Sequence, residues 1–254
     1  GPRSSFGCVA LGGKLYAVGG SRIVGGSLLN TAEVYDPQAD GWQPLTKMST
    51  SRFGLGLAAV GGKIYAIGGC NNDSTLESVE AYDPQLGSWA LVASMSVKRM
   101  YHASVVLDGK IYTMGGIDGV LNVAVLDKVE MYDLQADSWQ RMASMPRALW
   151  AHAAAAMGGK IYVTGGRSGR DGGNSVNSVY VYDPQANTWT HLASMGIARR
   201  LHASAVVGGM LYVFGGIGPG GRLCTVEVYD PASDSWAQVS NLAAARGGLL
   251  AIAL

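Results

Sequence analysis

Residues 61–69 read GGKIYAIGG, and versions of this stretch occur five times along the 254-residue chain. The glycine doublets that close the copies begin at residues 19, 68, 115, 165 and 215, so the spacings are 49, 47, 50 and 50 residues. A period near 50 residues is typical of repeat proteins whose units pack on their neighbours. Because a single unit cannot bury its apolar face alone, we expect one domain over residues 1–254.

Each copy contains four short apolar segments. In the second copy, residues 54–60 and 63–67 flank a Gly-Gly turn, which indicates a hairpin, and residues 78–82 and 89–92 follow as two further strands. A Tyr-Asp pair recurs in the third segment, and seven residues after the tyrosine comes Trp42, Trp89, Trp139, Trp189 or Trp236. Four strands per repeat without helical periodicity predict an all-β propeller made of four-stranded antiparallel blades.

The composition excludes several classes of protein. Charged residues make up 15% of the chain and the formal net charge is +1, so neither nucleic acid nor a membrane surface is an expected partner. No apolar run approaches the roughly 18 residues of a membrane-spanning helix. The three cysteines have no zinc-ligand spacing and fit a reducing compartment, so we expect a cytoplasmic location.

The glycine doublet, the Tyr-Asp pair and the tryptophan together resemble the kelch motif, and the copies are similar to those of animal kelch-like proteins. The resemblance implies blades with an inner strand A, a strand B ending at the doublet, a strand C with the tyrosine and a strand D with the tryptophan. It places the repeats at about residues 3–51, 52–98, 99–148, 149–198 and 199–245.

The number of repeats departs from the family pattern. Kelch domains usually resemble six-bladed propellers, whereas this chain has five full copies. Residues 246–254 align with residues 3–11, which predicts one extra inner strand at the C-terminal end. The pattern fits either a closed five-bladed ring with a surplus strand or a piece of a six-bladed domain.

An arginine and a glutamate recur together in four of the five copies. The fourth copy lacks both and has Leu149 and Tyr180 instead. A buried guanidinium needs a carboxylate, so we expect ion pairs within each repeat. The expected structural pairs are Arg3 with Glu33, Arg52 with Glu80, Arg99 with Glu130 and Arg199 with Glu227.

Three histidines occupy the same place in successive copies, namely His102, His152 and His202. That place lies on the inner strands around the channel, so a metal ring is one interpretation. No carboxylate recurs beside them, and kelch repeats commonly have a histidine here. We therefore expect histidines packed within the blades and bonded to backbone, with no metal and no cofactor.

The positions that follow the repeated arginine vary, and so do the loops between strands B and C. In the kelch family these places resemble the surface that grips a partner peptide. The candidate partner-binding residues are Phe53, Met100, Tyr101, Trp150 and Arg200 near the arginines, with Arg22, Asn72, Arg170 and Arg222 in the loops. Exposed aromatic residues beside arginine are typical of a binding hot spot. The alternatives are that the aromatic side chains fold inward to plug the channel and that the loop charges are merely solvated.

These observations favour a protein-binding module over an enzyme. We find no set of titratable side chains with catalytic roles, such as a Tyr/Cys/His copper set or a GxSxG motif. A modest excess of lysine and arginine between strand D and the next strand A favours a protein or peptide partner with acidic residues. The resemblance to kelch-like proteins implies substrate recognition for a cullin ubiquitin ligase, and an actin or cytoskeletal scaffold is the alternative.

Overall fold

The computed structural model describes residues 2–22, 26–119, 124–169 and 173–251. These residues form five four-stranded antiparallel sheets and three small two-stranded ones, without a helix. Each large sheet has the strand order A-B-C-D. The inner strands of successive blades contact one another, which arranges the sheets as a propeller. The prediction of an all-β propeller with four-stranded blades is confirmed.

The strands of the five blades have similar lengths. Strand A comprises Gly7–Leu11, Gly56–Val60, Ala103–Leu107, Ala153–Met157 and Ala203–Val207. Strand B comprises Lys14–Val18, Lys63–Ile67, Lys110–Met114, Lys160–Thr164 and Met210–Phe214. Strand C comprises Ala32–Asp36, Val79–Asp83, Val129–Asp133, Val179–Asp183 and Val226–Asp230. Strand D comprises Gly41–Pro44, Ser88–Val92, Ser138–Met142, Thr188–Leu192 and Ser235–Val239. The two-stranded sheets pair Arg3–Ser4 with Ser21–Arg22, Ile117–Asp118 with Ala124–Val125, and Ile217–Gly218 with Gly221–Arg222.

The glycine doublet after strand B is where a blade meets the segment that enters the next blade. Gly68 has φ +55°, and a Cβ at this position would lie 2.6 Å from the carbonyl oxygen of Arg99. The amide of Gly69 donates to that same carbonyl at 2.8 Å. A side chain would therefore clash with the backbone, in a conformation that already favours glycine. This contact explains why the doublet recurs at every blade.

The Tyr-Asp and tryptophan positions join each blade to the one before it. In the third blade the Tyr132 and Trp139 rings lie 5.1 Å apart, and the Trp139 indole N–H donates to the Ala93 carbonyl of the second blade at 2.9 Å. Asp137 accepts both the Tyr132 hydroxyl at 2.7 Å and the Ala93 amide at 2.9 Å. The seven-residue spacing between tyrosine and tryptophan therefore brings both rings to one blade interface.

The predicted extra strand at residues 246–254 requires a correction over residues 246–251, and its last three residues lie outside the described part. Residues 246–251 make a single β-bridge, from Arg246 to Leu223, and the Gly248 amide donates to the Leu201 carbonyl at 2.8 Å. A strand needs a continuous ladder of hydrogen bonds, and the described chain supplies no strand B beside this segment. Residues 246–251 therefore lie at the inner-strand place without forming a β-strand.

The C-terminal segment nevertheless lies at a sixth inner position of the propeller. The channel is lined by residues from six segments, including Phe6 to Cys8 at one end of the chain and Leu249 to Ala251 at the other. One residue of each segment lies at the mouth of the channel with positive φ. From the second segment onward, its amide donates to the carbonyl of the equivalent residue in the segment before. This row runs Ser5, Gly54, Tyr101, Ala151, Leu201, Gly248, with N···O distances of 2.8–3.0 Å.

The repeated arginines are buried and meet the glutamates of their own repeats. Arg52 is fully buried, and its guanidinium lies 3.1 Å from Glu80 and 2.8 Å from the carbonyl of Ser78. Glu80 also accepts the Ser49 amide at 2.7 Å. The other pairs are Arg3 with Glu33 at 2.8 Å, Arg99 with Glu130 at 2.6 Å, and Arg199 with Glu227. Each of these pairs joins strand C to the segment that enters the blade.

The fourth blade replaces the ion pair by apolar packing. Leu149 is fully buried in one cluster with Tyr180, while Arg147 reaches outward to the Ser168 hydroxyl at 3.0 Å. The residue equivalent to Ser49 is Pro146, which has no amide hydrogen to donate. The arginine, the glutamate and the amide donor are all absent from this one repeat. This indicates that the three form one cooperative hydrogen-bonded unit.

The three histidines are buried between blades. Burial lowers the pKa of His152 to about 4 and that of His202 to about 3, and the nearby Arg99 and Arg199 guanidiniums add to these shifts. The pKa of His102 is also lowered by burial. His202 Nε2 lies 2.9 Å from the Thr164 hydroxyl. The described residues contain no cluster of His, Cys, Asp or Glu that could hold a metal ion.

We predict that Glu80→Ala lowers the free energy of unfolding by about 3–5 kcal/mol, because Arg52 keeps its buried charge and loses its carboxylate. The triple variant Ser49→Pro, Arg52→Leu, Glu80→Tyr copies the fourth blade and is expected to retain most of the stability. Guanidinium titrations of both proteins measure the difference. A triple variant as unstable as Glu80→Ala would contradict the cooperative role of these residues.

We also predict that acid destabilises the protein through its buried histidines. Because the folded pKa values lie below the unfolded value near 6.5, the unfolded chain binds more protons, and stability falls as pH drops from about 6.5 toward 4. Each histidine contributes up to about 1.5 kcal/mol between pH 6.5 and pH 5. Replacing all three by leucine, which the second blade has as Leu55, should flatten this dependence. An unchanged slope in denaturant titrations at the two pH values would refute the assignment.

Candidate functional site

One face of the propeller is built by bridges between two kinds of segment. The residue after the repeated arginine position, which is Leu149 in the fourth blade, pairs with the residue after the glycine doublet of the same blade. These bridges are Phe53 with Cys70, Met100 with Ile117, Trp150 with Arg167, and Arg200 with Ile217. The D–A segments and the B–C loops therefore form one continuous rim.

Three aromatic side chains form a row on this rim. Phe53 and Tyr101 meet edge to face with ring centroids 5.4 Å apart, and Tyr101 and Trp150 follow at 5.8 Å. All three remain partly exposed. Tyr101 has φ 52°, an unusual conformation for a bulky residue, and it lines the mouth of the channel. The row spans the entry segments of blades two, three and four.

The floor under the aromatic row is apolar. Met100 is buried and packs with Cys70 and Ile117 beneath the three rings. Met100 was expected on the binding surface, and it is instead buried within this cluster. Met100 supports the row without being open to a partner. The aromatic residues themselves stay at the rim and channel mouth, with part of each ring exposed.

Two arginines end the aromatic row. The guanidinium of Arg167 lies 5.4 Å from the centre of the Trp150 ring, and the Trp150 indole N–H donates to the Gly169 carbonyl at 3.3 Å. Arg200 donates to the Ser175 hydroxyl at 2.9 Å. Partial burial lowers the pKa of Arg200, and the positive charge of Arg167 adds to this shift. The two cations therefore lie close enough to repel each other.

A cleft of about 650 Å³ lies between the loops of blades four and five. Arg167, Ser175 and Arg200 line it, together with Ile217 and Pro219. Throughout the described residues, no carboxylate lies within ion-pair distance of Arg167 or Arg200. The cleft thus presents positive charge and hydrogen-bond donors next to an apolar row.

The remaining candidate residues lie elsewhere on the same loops. Arg22 belongs to blade one, where it borders a cavity with Arg3 and Glu33. Asn72 is exposed at the tip of the blade-two loop, and the turn is held by Asn71, which accepts the Ser74 amide at 2.8 Å. Arg222 is exposed on blade five. Arg170 lies outside the described residues.

Arg167 and Ser175 line the cleft beside Arg200; the sequence places Arg167 among the variable loop residues without selecting it as a binding residue, and Ser175 was not predicted. Arg167 directly follows a glycine doublet, the position that Cys70, Ile117 and Ile217 occupy in other blades. This position forms a bridge to the residue after the repeated arginine position in every one of these blades. The alignment of the repeats could therefore have indicated that Arg167 lies beside Trp150. Ser175 had no such signal, since its loop varies in length between blades.

The comparisons with known proteins agree with this architecture. Residues 54–248 match the model of the KLHDC2/KLHL20/DRC7 Kelch-repeats domain, and residues 2–49 match the Kelch motif. Over 47 residues, or 18% of this chain, the sequence is 43% identical to the F-box/kelch-repeat protein At1g16250 from Arabidopsis thaliana. The matched stretch is 12% of that relative's length.

A solved structure, described as the structure of YjhT, superposes with a TM-score of 0.86. The match covers 99% of this chain and 88% of the other at 16% identity, so it supports the fold alone. The kelch assignment rests on the family model, which spans more than half of the chain and includes Tyr101, Trp150 and the cleft. The chain belongs to the kelch-repeat family, whose propellers are generally protein-interaction modules.

Proposed function

We propose that the rim formed by Phe53, Tyr101, Trp150, Arg167 and Arg200 binds a partner peptide that combines an apolar side chain with a carboxylate. The observation that carries this proposal is the row of three partly exposed aromatic residues that ends at two arginines, neither of which has a carboxylate partner among the described residues. We call these five residues the binding rim.

The positive end of the binding rim favours a carboxylate ligand. Arg200 is half-buried and already oriented by Ser175, so the guanidinium loses little side-chain freedom when a ligand binds. A planar guanidinium can bind a carboxylate through two hydrogen bonds. A ligand carboxylate would also offset the repulsion between Arg167 and Arg200. An acidic side chain or a free C-terminus of the partner would supply it.

The aromatic row favours an apolar side chain next to that carboxylate. Tyr and Trp supply large contact areas with few rotatable bonds, and hot spots are enriched in Trp, Tyr and Arg. The rings contact one another over the buried floor formed by Cys70, Met100 and Ile117, so their positions are set before a partner arrives. This preorganisation lowers the entropic cost of binding.

A finer role follows from the resemblance to kelch-like proteins. We propose that the partner is a substrate presented to a cullin ubiquitin ligase and that the protein acts in the cytoplasm without catalysing a reaction. The described residues support a non-catalytic role in one respect. Three of the four histidines are buried, His191 lies on the outer strand of blade four, and the acids mostly occupy repeated structural positions, so neither group converges on the cleft.

We predict that peptides selected from a random display library on the 254-residue chain are enriched in an apolar residue near an acidic residue or a free C-terminus. Trp150→Ala should lower the affinity for the best peptide by about 30-fold, as expected for a hot-spot tryptophan. Arg200→Gln should lower it by about tenfold. Fluorescence anisotropy of the labelled peptide measures both values. Raising the salt concentration should weaken binding to the unaltered protein more than to Arg200→Gln.

The chain offers matched controls for both substitutions. Trp42 is exposed on the outer strand of blade one, and Arg141 is exposed on the outer strand of blade three. Trp42→Ala and Arg141→Gln should leave peptide affinity unchanged. If Trp150→Ala binds the peptide as tightly as Trp42→Ala does, the proposal that the binding rim holds the peptide is wrong. Co-sedimentation with actin filaments that survives both rim substitutions would favour the scaffold role instead.

A further inference from the structure

Arg147 lies outside the repeated arginine position of its blade. It stands two residues before Leu149, at a place where the other entry segments have no charged residue. Its guanidinium donates to the hydroxyl of Ser168, in the loop between strands B and C of blade four, at 3.0 Å. Across residues 2–22, 26–119, 124–169 and 173–251, no carboxylate lies within ion-pair distance of Arg147. Within these ranges Arg147 therefore has a neutral partner and no counter-charge.

Ser168 lies between two residues that contact Trp150. Arg167 precedes it and places its guanidinium 5.4 Å from the centre of the Trp150 ring. Gly169 follows it and accepts the Trp150 indole N–H at 3.3 Å. Ser168 itself is partly exposed, as a side chain that an enzyme modifies must be. A charge added to Ser168 therefore lies one residue from each of these two contacts with the tryptophan of the binding rim.

The loop of blade four carries positive charge that a single ligand carboxylate offsets only in part. Besides Arg147 and Arg167, Arg200 reaches this loop, where it donates to the Ser175 hydroxyl at 2.9 Å. None of the three guanidiniums has a carboxylate partner among the described residues. A phosphate monoester carries a charge of about −1.5 to −2 at pH 7 and three acceptor oxygens. Such a group matches the excess of positive charge and hydrogen-bond donors around Ser168.

Comparison of the blades shows that this loop position accepts a negatively charged side chain. Asp118 stands at the place of Ser168 in blade three, two residues after the glycine doublet. It belongs to a short two-stranded sheet and is partly exposed. The entry segment of blade three has Val97 at the place of Arg147. Only blade four combines a hydroxyl side chain at the first place with an arginine at the second. This combination indicates that the two residues function as a pair.

We infer that Ser168 is a phosphorylation site, that Arg147 holds the phosphate, and that the modification weakens the binding of an acidic peptide to the binding rim. The third part rests on the proposed function, and the first two do not. Arg167 precedes Ser168 in the sequence, and Arg170 follows it by two residues. Basic residues on both sides of a serine fit the charge patterns by which many protein kinases select their substrates.

The modification is a phosphoryl transfer from a nucleoside triphosphate held by a protein kinase. The Ser168 Oγ attacks the γ-phosphorus, and an O–P bond forms. The bond between the γ-phosphorus and its bridging oxygen breaks, the nucleoside diphosphate leaves, and the hydroxyl proton passes to a carboxylate base of the kinase. The product gives Arg147 a charged acceptor in place of a neutral hydroxyl. Charge-assisted hydrogen bonds of this kind are roughly twice as strong as neutral ones.

A phosphate on Ser168 opposes a ligand carboxylate in the cleft. Consecutive Cα atoms are about 3.8 Å apart, and charges interact over about 8 Å at physiological ionic strength. The phosphate therefore reduces the positive potential that Arg167 supplies to a ligand. An acidic peptide loses affinity for this reason, although the aromatic row keeps its floor of Cys70, Met100 and Ile117.

The phosphate site is tested by ³¹P NMR on the 254-residue protein with phosphoserine encoded at position 168. The second pKa of phosphoserine is near 6, and we expect Arg147 to lower it by at least about 0.5. Arg147→Gln should remove most of this shift. The matched control is phosphoserine at Ser194, an exposed residue without a hydrogen bond to any described arginine. Equal pKa values at positions 168 and 194, or a shift that survives Arg147→Gln, would overturn the site.

The effect on binding is tested with the peptide selected on the unmodified protein. Phosphoserine at position 168 should lower its affinity about tenfold in fluorescence anisotropy, and added salt should reduce the difference. The control is phosphoserine at Ser233, on the turn that follows strand C of blade five, at the opposite end of that strand from the B–C loop. It should leave the affinity unchanged. Equal affinities with and without phosphoserine at position 168 would contradict the regulatory role.

The modification itself is tested by incubating the 254-residue protein with ATP and protein kinase C, a kinase that selects serines with basic neighbours. Mass spectrometry should find phosphate on Ser168, and the corresponding peptide of Ser168→Ala should remain unmodified. A protein in which Ser168 stays unmodified would refute its assignment as a phosphorylation site. A lowered phosphate pKa, combined with failure to select any acidic peptide, would support the phosphate site and refute the proposed function.

Discussion

Every blade of this propeller has two apolar faces and can cover neither of them by itself. Burial of these faces is the main favourable term in folding, and it depends on the neighbouring blades. Tyr132 and Trp139 show how the dependence is built, since their rings pack together within one blade and the Trp139 indole N–H donates to a backbone carbonyl of the blade before.

The buried arginines add a polar frame to this apolar stack. Arg52 bonds to carbonyls at residues 68 and 78 and to Glu80, while Glu80 in turn accepts an amide from the segment between blades. One guanidinium thus holds three chain segments that the hydrophobic contacts alone would orient loosely. The apolar substitute at Leu149 shows that the position tolerates loss of the pair when all its members change together. Specific orientation, rather than net stability, is the role that best fits a buried ion pair of this kind.

The binding rim uses positions that the blade interfaces leave free. The strands and the glycine doublets pack against neighbouring blades, which restricts their side chains. The residue after each repeated arginine position only has to form one backbone bridge. Its side chain can therefore vary, and here it is Phe53, Trp150 or Arg200 in different blades. The rigid scaffold lowers the cost of presenting these side chains, and the variation among blades makes the surface asymmetric. A symmetric fold thereby acquires a face that can bind an asymmetric ligand.

The sequence by itself determined the blade architecture, because strand periodicity, turn glycines and the tyrosine–tryptophan spacing are local patterns repeated five times. It also indicated the partners of the buried arginines, since one repeat had lost arginine and glutamate together. Only the tertiary structure decided that Met100 is floor rather than surface, that Arg167 covers Trp150, and that residues 246–251 lack a strand ladder. These outcomes depend on contacts across loops and between blades. Such contacts join residues that are distant in the chain. A local sequence pattern therefore does not indicate whether the side chain of a bridging residue is buried or exposed.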